Sequence, residues 1–272
     1  MEWYMPTEYI DIENVSGFFN EKRIFIDKIS NVILSDKPVE LQELTFFDKG
    51  RGHRTALSCR PTLSFDFTAN EQSPPFISKL HKHDYYEIII AAVGIVEMQI
   101  ESRLCQLNEG DVCVLNRSTQ HAEHFKTGQK VFYITITPEY IKNWPKDEGT
   151  GLPRLIAKLF DKGMDVPLYQ NKDYIIAAGS NNDSLPGILS VIENIREEFE
   201  GKKPGYHFFV RGLLYRFFCT ITNSKLYSIE YIDLGMDEGF SLAFSAKQII
   251  DKNLRRTSKD EIAQNCNIMV NI

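Results

Sequence analysis

His81-Lys82-His83-Asp84-Tyr85-Tyr86-Glu87-Ile88-Ile89-Ile90-Ala91-Ala92-Val93-Gly94 is the stretch on which the fold of this chain turns. Its order is His-x-His-x3-Glu-x6-Gly. Side chains alternate along a strand, so His81 and His83 point to one face, and Glu87 shares it. A second segment, Gly110-Asp111-Val112-Cys113-Val114-Leu115, reads as another strand and leads through a short turn to His121. If that turn brings His121 opposite the first strand, three imidazoles and a carboxylate converge inside a small roll.

The surrounding sequence has the same texture. From about Leu41 to Ala178, short apolar runs alternate with turn residues. Tyr86–Val93 is β-branched and ends at Gly94, which suits a tight hairpin into Ile95–Ile100. In the latter, Ile95, Glu97 and Gln99 alternate with Val96, Met98 and Ile100, the signature of a half-buried strand. Asp111–Leu115, His121–Phe125 and Lys130–Thr137 complete a set of strands whose spacing predicts a sandwich or barrel.

The period then changes to 3.6. Ile188, Ile192, Ile195 and Phe199 share one face of a helix over Ser184–Phe199, with Pro186 near its start and Gly201 just past its end. Lys203-Pro204-Gly205 breaks it. A second helix, Tyr206–Ile221, carries the stripe Val210, Leu213, Leu214, Phe217 and Ile221, with Phe208, Phe209, Tyr215 and Phe218 spilling beyond it. A helix apolar over more than one face is buried on two sides, against the barrel and its neighbour or against a second copy. Phe208, Phe209, Tyr215 and Phe218 are the candidate dimerisation residues.

Five segments follow: an amino-terminal arm or accessory helix over 1–40, a barrel over 41–180, helices over 181–226, a linker over 227–239 and a further unit over 240–272. Val15, Phe18, Phe19, Ile26 and Ile29 would line the accessory helix. The linker is read from Asp233, Gly235, Asp237, Glu238 and Gly239. In the last unit Leu242, Ala246, Ile249 and Ile250 recur at helical spacing, and Ser258 with Glu261 forms a capping box for a short helix containing Ile262, Ala263 and Cys266.

Composition narrows the function classes. The chain has 272 residues and a formal charge of −6, which gives no support to a protein that coats nucleic acid uniformly. Its five cysteines are scattered, with no Cys-x-x-Cys pair, so neither a disulfide framework nor a zinc ribbon is indicated. No run approaches the ~20 apolar residues of a membrane span, and the amino terminus lacks a signal-peptide pattern. A reducing cytoplasm is the expected location. No Ser/His/Asp or Cys/His set assembles from the spacing, so a nucleophilic hydrolase is not supported.

The two motif segments resemble those of the cupin barrel, an antiparallel double-sheet jelly roll, although the turn Asn116-Arg117-Ser118-Thr119-Gln120 lacks the Pro and Gly most cupins carry there. The chain as a whole resembles AraC-type bacterial transcription regulators. That likeness rests on His81-Lys82-His83-Asp84-Tyr85-Tyr86-Glu87, the helical pair, and Gln248–Asn253 followed by Thr257–Ala263. It implies a cupin-like sensor and dimerisation domain ahead of a helix-turn-helix DNA reader, and no enzymatic activity. The sequence stops before the first recognition helix. The resemblance therefore implies a fragment, truncated within the reader, which by itself does not bind an operator specifically.

Three readings stay open for His81, His83, Glu87 and His121. They hold a divalent transition metal, with imidazole suiting Zn, Fe, Ni or Cu. Or they line a metal-free pocket for a small polar effector, a sugar among the candidates. Or they are structural and satisfy one another. A metal-dependent cupin enzyme, a dioxygenase or isomerase, is the rival from another class. Elsewhere, His53 lies in the basic, Gly-containing stretch Lys49–Arg54 and reads as a loop residue. His124 faces away from His121, His207 opens a helix, and Trp144 is expected against the helices.

Overall fold

The structure, a computed structural model, describes residues 37–47, 51–58, 63–68, 80–146, 151–164, 172–180 and 184–234, with two short backbone strands at 26–27 and 32–33. In chain order these strands are β1 (Ile26–Asp27) and β2 (Val32–Ile33). Next come β3 (Val39–Phe46), β4 (Arg51–Ser58), β5 (Leu63–Thr68), β6 (Lys82–His83), β7 (Tyr86–Val93) and β8 (Val96–Ile100). Then follow β9 (Arg103–Leu107), β10 (Val112–Leu115), β11 (His121–His124) and β12 (Lys130–Ile136). Helices α1 (Pro138–Lys142) and α2 (Arg154–Met164) precede β13 (Asp173–Gly179). The chain then makes α3 (Ser184–Gly201), α4 (Tyr206–Ile221) and β14 (Tyr227–Asp233).

Eight strands form one antiparallel sheet in the order β14-β13-β10-β7-β12-β3-β4-β5, and β11-β8-β9 form a second. The inner space between them is filled by Ile89, Ala91, Cys113, Leu115, Val131 and Tyr133 from the large sheet against Val96, Met98, Ile100 and Leu107 from the small one. The opposite face of the large sheet, with Ile88, Ile90, Val112, Val114, Ile134 and Ile136, is covered by the helices. β7 is therefore buried on both faces, which explains an uninterrupted apolar run where β8 shows strict alternation. This is the cupin-like, mainly β architecture with added helices that the motif spacing predicts.

The helical faces are those read from the period. Ile188, Ile192, Ile195 and Phe199 of α3 and Val210, Leu214, Phe217 and Ile221 of α4 are all buried. Trp144 is buried too, edge-on to Phe218 with ring centroids 6.2 Å apart.

Several expectations need correction. Phe218 is fully buried and packs against Trp144, Phe160 and Phe217, so it belongs to the monomer core and cannot meet a partner. Of the other surplus aromatics, Phe208 and Phe209 are 67% and 62% exposed and Tyr215 is half-buried. Tyr227–Asp233, expected within the linker 227–239, is instead β14, paired along seven residues with β13. Its alternating Tyr227, Ile229 and Tyr231 suit a strand, and the downstream acids and glycines hid that pattern. The helices thus sit between two neighbouring strands of one sheet. Gly94 does not close a paired hairpin: β7 and β8 belong to different sheets, and Gly94, at φ +79°, turns the chain between them.

The stretch around His53 is not a loop but β4, with His53 opposite Thr45 and Asp66. Ile26, assigned above to a helix face, lies in β1. Residues 1–25 and 235–272, including most of the arm and the whole carboxy-terminal unit, lie outside the described residues.

One ion-pair group ties α3 to the sheet. Glu43 of β3 pairs with Lys130 at 2.8 Å and with Arg196 of α3. Burial pushes Glu43 up, but Lys130 and Arg196 outweigh it and hold its carboxyl below the ordinary range. A depressed carboxyl stabilises the fold above its unfolded pKa and loses that contribution as pH falls through the folded value. Glu43→Gln is accordingly expected to lower the melting temperature at pH 7, with the difference from the parent closing in acid. A difference that persists unchanged to pH 3 would assign the loss to packing instead.

Candidate functional site

His81, His83, Glu87 and His121 do converge. The short strand β6 and the start of β7 flank a bend at Asp84 and Tyr85, and His81 is joined to His121 by an antiparallel bridge with both backbone bonds made, at 2.9 and 2.8 Å. This bridge joins the segment leading into β7 to the end of the small sheet. The three rings lie close together, tilted or edge-on, with centroids 4.4 Å (His81–His121), 4.8 Å (His81–His83) and 5.1 Å (His83–His121) apart. Glu87 lies on the inner face with Ile89 and Ala91, as alternation requires.

His121 is the centre of the cluster and has no exposed surface. Its Nε2 lies 2.9 Å from Glu87 Oε2 and 3.5 Å from Glu123 Oε1, and its Nδ1 lies 3.3 Å from the Thr119 carbonyl. A ring flanked by acceptors on both nitrogens is favoured as the doubly protonated imidazolium. Burial works against that charge, yet Glu123 and Glu87 prevail and raise His121 to about 9. Glu87 is pushed up by burial, but the neighbouring His83 and the bond from His121 hold it well below the ordinary carboxylate range. His81 is pulled down to about 4, first by burial and then by His121 and His83.

His83 differs from its neighbours. It is 4% exposed and stacked on Tyr85 at 4.3 Å, yet neither ring nitrogen has a hydrogen-bond partner. Its Nε2 lies 3.1 Å from Glu87 Oε2 without the alignment of a good hydrogen bond. A buried ring nitrogen left without a partner, as Nδ1 is, costs about 1–3 kcal/mol in a finished core. It is the group in this cluster that a bound ligand would satisfy.

Glu123 was not among the residues read from sequence. It lies two positions after His121 on β11, so the same alternation that places Glu87 would have found it. His124 faces the other way and pairs with Glu97 at 3.2 Å on the rim of the small sheet. There a concavity of about 630 Å³ is lined by Glu97, Gln99, Leu104, Gln106 and His124, and it shares Glu123 with the cluster.

Two sets of donor atoms fall within 4.8 Å of one another: His81, His83 and His121, and Glu87, His121 and Glu123. Imidazole and carboxylate donors suit a borderline divalent ion such as Zn or Fe. The same groups equally suit a ligand that presents hydroxyls or amines.

Residues 65–168, spanning β7 to β12 and both motif segments, match the family described as the AraC-like ligand binding domain. No curated protein matches the sequence. Similar solved structures include ToxT from Vibrio cholerae with an unsaturated fatty acid bound, 13% identical, covering 85% of this chain and 68% of that one, at a TM-score of 0.36. The AraC-like transcriptional activator CuxR is 11% identical over 84% of this chain and 70% of its own, with a TM-score of 0.34. An RmlC-like cupin from Shewanella frigidimarina is 11% identical over 34% of this chain and 80% of its own, with a TM-score of 0.26. Among the described residues no helix is long and apolar enough to cross a membrane.

Proposed function

We propose that the chain carries an AraC-like ligand-binding domain, the sensor of a bacterial transcription regulator working in the cytoplasm, and that its effector binds at His81, His83, Glu87 and His121, with Glu123. The observation that carries this reading is His83, buried in a polar cluster with Nδ1 unpartnered and Nε2 held only by its contact with Glu87. Two buried carboxylates in the same cluster favour a ligand that brings hydroxyl or cationic groups, a sugar or amine, over one that brings a carboxylate. Binding acts by linkage: an effector that prefers one arrangement of the domain shifts the population toward it, and about 1–3 kcal/mol of coupling is enough for a clear switch. DNA binding is assigned to the helix-turn-helix unit that begins at residue 240. The exposed Phe208 and Phe209 of α4 are the surface on which two copies pair. The cluster senses rather than catalyses.

A second reading is favoured by the donor geometry. His81, His83 and His121, with Glu87, would hold a divalent transition metal, which would supply a Lewis-acidic centre for an effector oxygen or nitrogen. The protein's part is then to orient the rings. The Thr119 carbonyl fixes Nδ1 of His121 and leaves Nε2 aimed into the cluster.

A thermal-shift series with sugars, amines and Zn²⁺, Ni²⁺ and Mn²⁺ separates the readings. Stabilisation by an organic compound without metal, lost in His83→Ala, is the expected result. Stoichiometric metal in the purified protein, also lost in His83→Ala, would shift the assignment to the second reading. No stabilisation by any compound in either class would remove the sensing role.

A further inference from the structure

β14 ends at Asp233, and the chain continues from Leu234 to Ile272. Among the described residues β14 is an edge strand of the large sheet, paired on one side only, with β13. Two lines of contact join its last residues to the site. The first is a row of the sheet: Glu87 pairs with Leu115, Leu115 with Tyr174 and Tyr174 with Ile232. Leu115, Tyr174 and Ile232 are buried together on the inner face, and Leu234 packs against them. The second is polar. His121 bonds to the Thr119 carbonyl, Thr119 Oγ1 donates to the Asp173 carbonyl at 3.0 Å, and the Tyr231 hydroxyl donates to Asp173 Oδ2 at 2.7 Å.

The end of β14 is held by opposed contacts. Asp173 and Asp233 face one another in the register, and like charges in that position destabilise a strand pair. The Tyr231–Asp173 bond acts against that repulsion, and the Lys158 ammonium braces the Tyr231 ring from α2, 4.0 Å from its centroid. An edge strand pinned this way can open locally at small cost. The helical pair is a poorer conduit, because α3 and α4 pack on the face of the large sheet opposite to Glu87.

We propose that occupancy of the histidine–glutamate site sets how firmly the end of β14 is held on β13. This rests on the reading of the cluster as the effector site, and it names the strand through which the site reports. It requires that ligand binding and β14 docking influence each other reciprocally.

Amide hydrogen exchange of the full chain tests it with two mild variants. Thr119→Val keeps the side-chain volume and cuts the bond to the Asp173 carbonyl, which still accepts from the Asn116 amide at 3.1 Å. Amides of residues 231–233 should exchange about fivefold faster or more, while those of residues 41–45 on the far side of β12 do not change. Tyr231→Phe reads the link from the other end. The His81 and His121 amides, which make the bridge between the sheets, should speed up although neither is near the substitution. Changes confined to the mutated strand and its immediate partner in both variants overturn the proposal. The compound series described above separates the two ideas. Coupled exchange with no stabilising compound sinks the sensing role and leaves the wiring. A stabilising compound with uncoupled exchange does the reverse.

Discussion

His121→Leu is expected to destabilise the domain by about 3–5 kcal/mol at pH 7, the cost of breaking a buried ion pair by removing one partner. His121 is wholly buried, and it is the cation between Glu87 at 2.9 Å and Glu123 at 3.5 Å. Without it, two carboxylates that are 6% and 4% exposed remain inside the roll. The sign of the pH dependence follows from Glu87. In the parent its carboxyl is held well below the ordinary range, so it contributes stability above its unfolded pKa and loses it as pH falls through the folded value. In the variant the contribution of His121 is lost and His83 alone opposes burial, so the Glu87 carboxyl is held down less. The gap between parent and variant should therefore be widest near neutrality and narrow toward pH 4. Adding Glu87→Gln to the variant should recover part of the loss. Urea denaturation at the two pH values measures both effects. A deficit below about 1 kcal/mol, equal at both, would mean that Glu87 and Glu123 are hydrated rather than paired.

The second large effect separates the two groups of aromatics on α4. Phe218→Ala should cost about 3–5 kcal/mol, as truncation of a buried ring does. Phe208→Ser with Phe209→Ser should leave monomer stability within about 0.5 kcal/mol, because both rings are exposed. The double substitution should instead shift the protein from dimer to monomer in sedimentation. A dimer that survives it would place the interface elsewhere.

The comparison of these aromatics shows where sequence reading succeeds and stops. The period of α4 identified Val210, Leu213, Leu214, Phe217 and Ile221 as one stripe, of which all but the half-buried Leu213 are buried, because a 3.6 repeat is a local property. It could not assign Phe218, whose position one residue beyond the stripe is buried only because Trp144 and Phe160 arrive from α1, α2 and the loop between them. The site behaves alike. Alternation placed Glu87 with His83, and the convergence of His121 came from a motif spacing. Glu123 obeyed the same alternation but carried no motif, so nothing drew attention to it. β14 was lost for a different reason: Tyr227–Asp233 is a strand because β13 offers it an edge, and its own sequence merges into Gly235, Asp237, Glu238 and Gly239. The bend at Asp84 and Tyr85 and the change of sheet at Gly94 are likewise properties of the assembled sandwich.

Histidine-selective NMR is the most direct measurement of whether the cluster is a ligand site. The protein is titrated with the sugar and amine series and, separately, with Zn²⁺. The resonances of His81, His83 and His121 should move together and saturate with at least one compound, while His53, His124 and His207 stay in place. Saturable shifts at His124 alone, on the rim of the small sheet, or no saturable shift at any of the three inner rings, would contradict it.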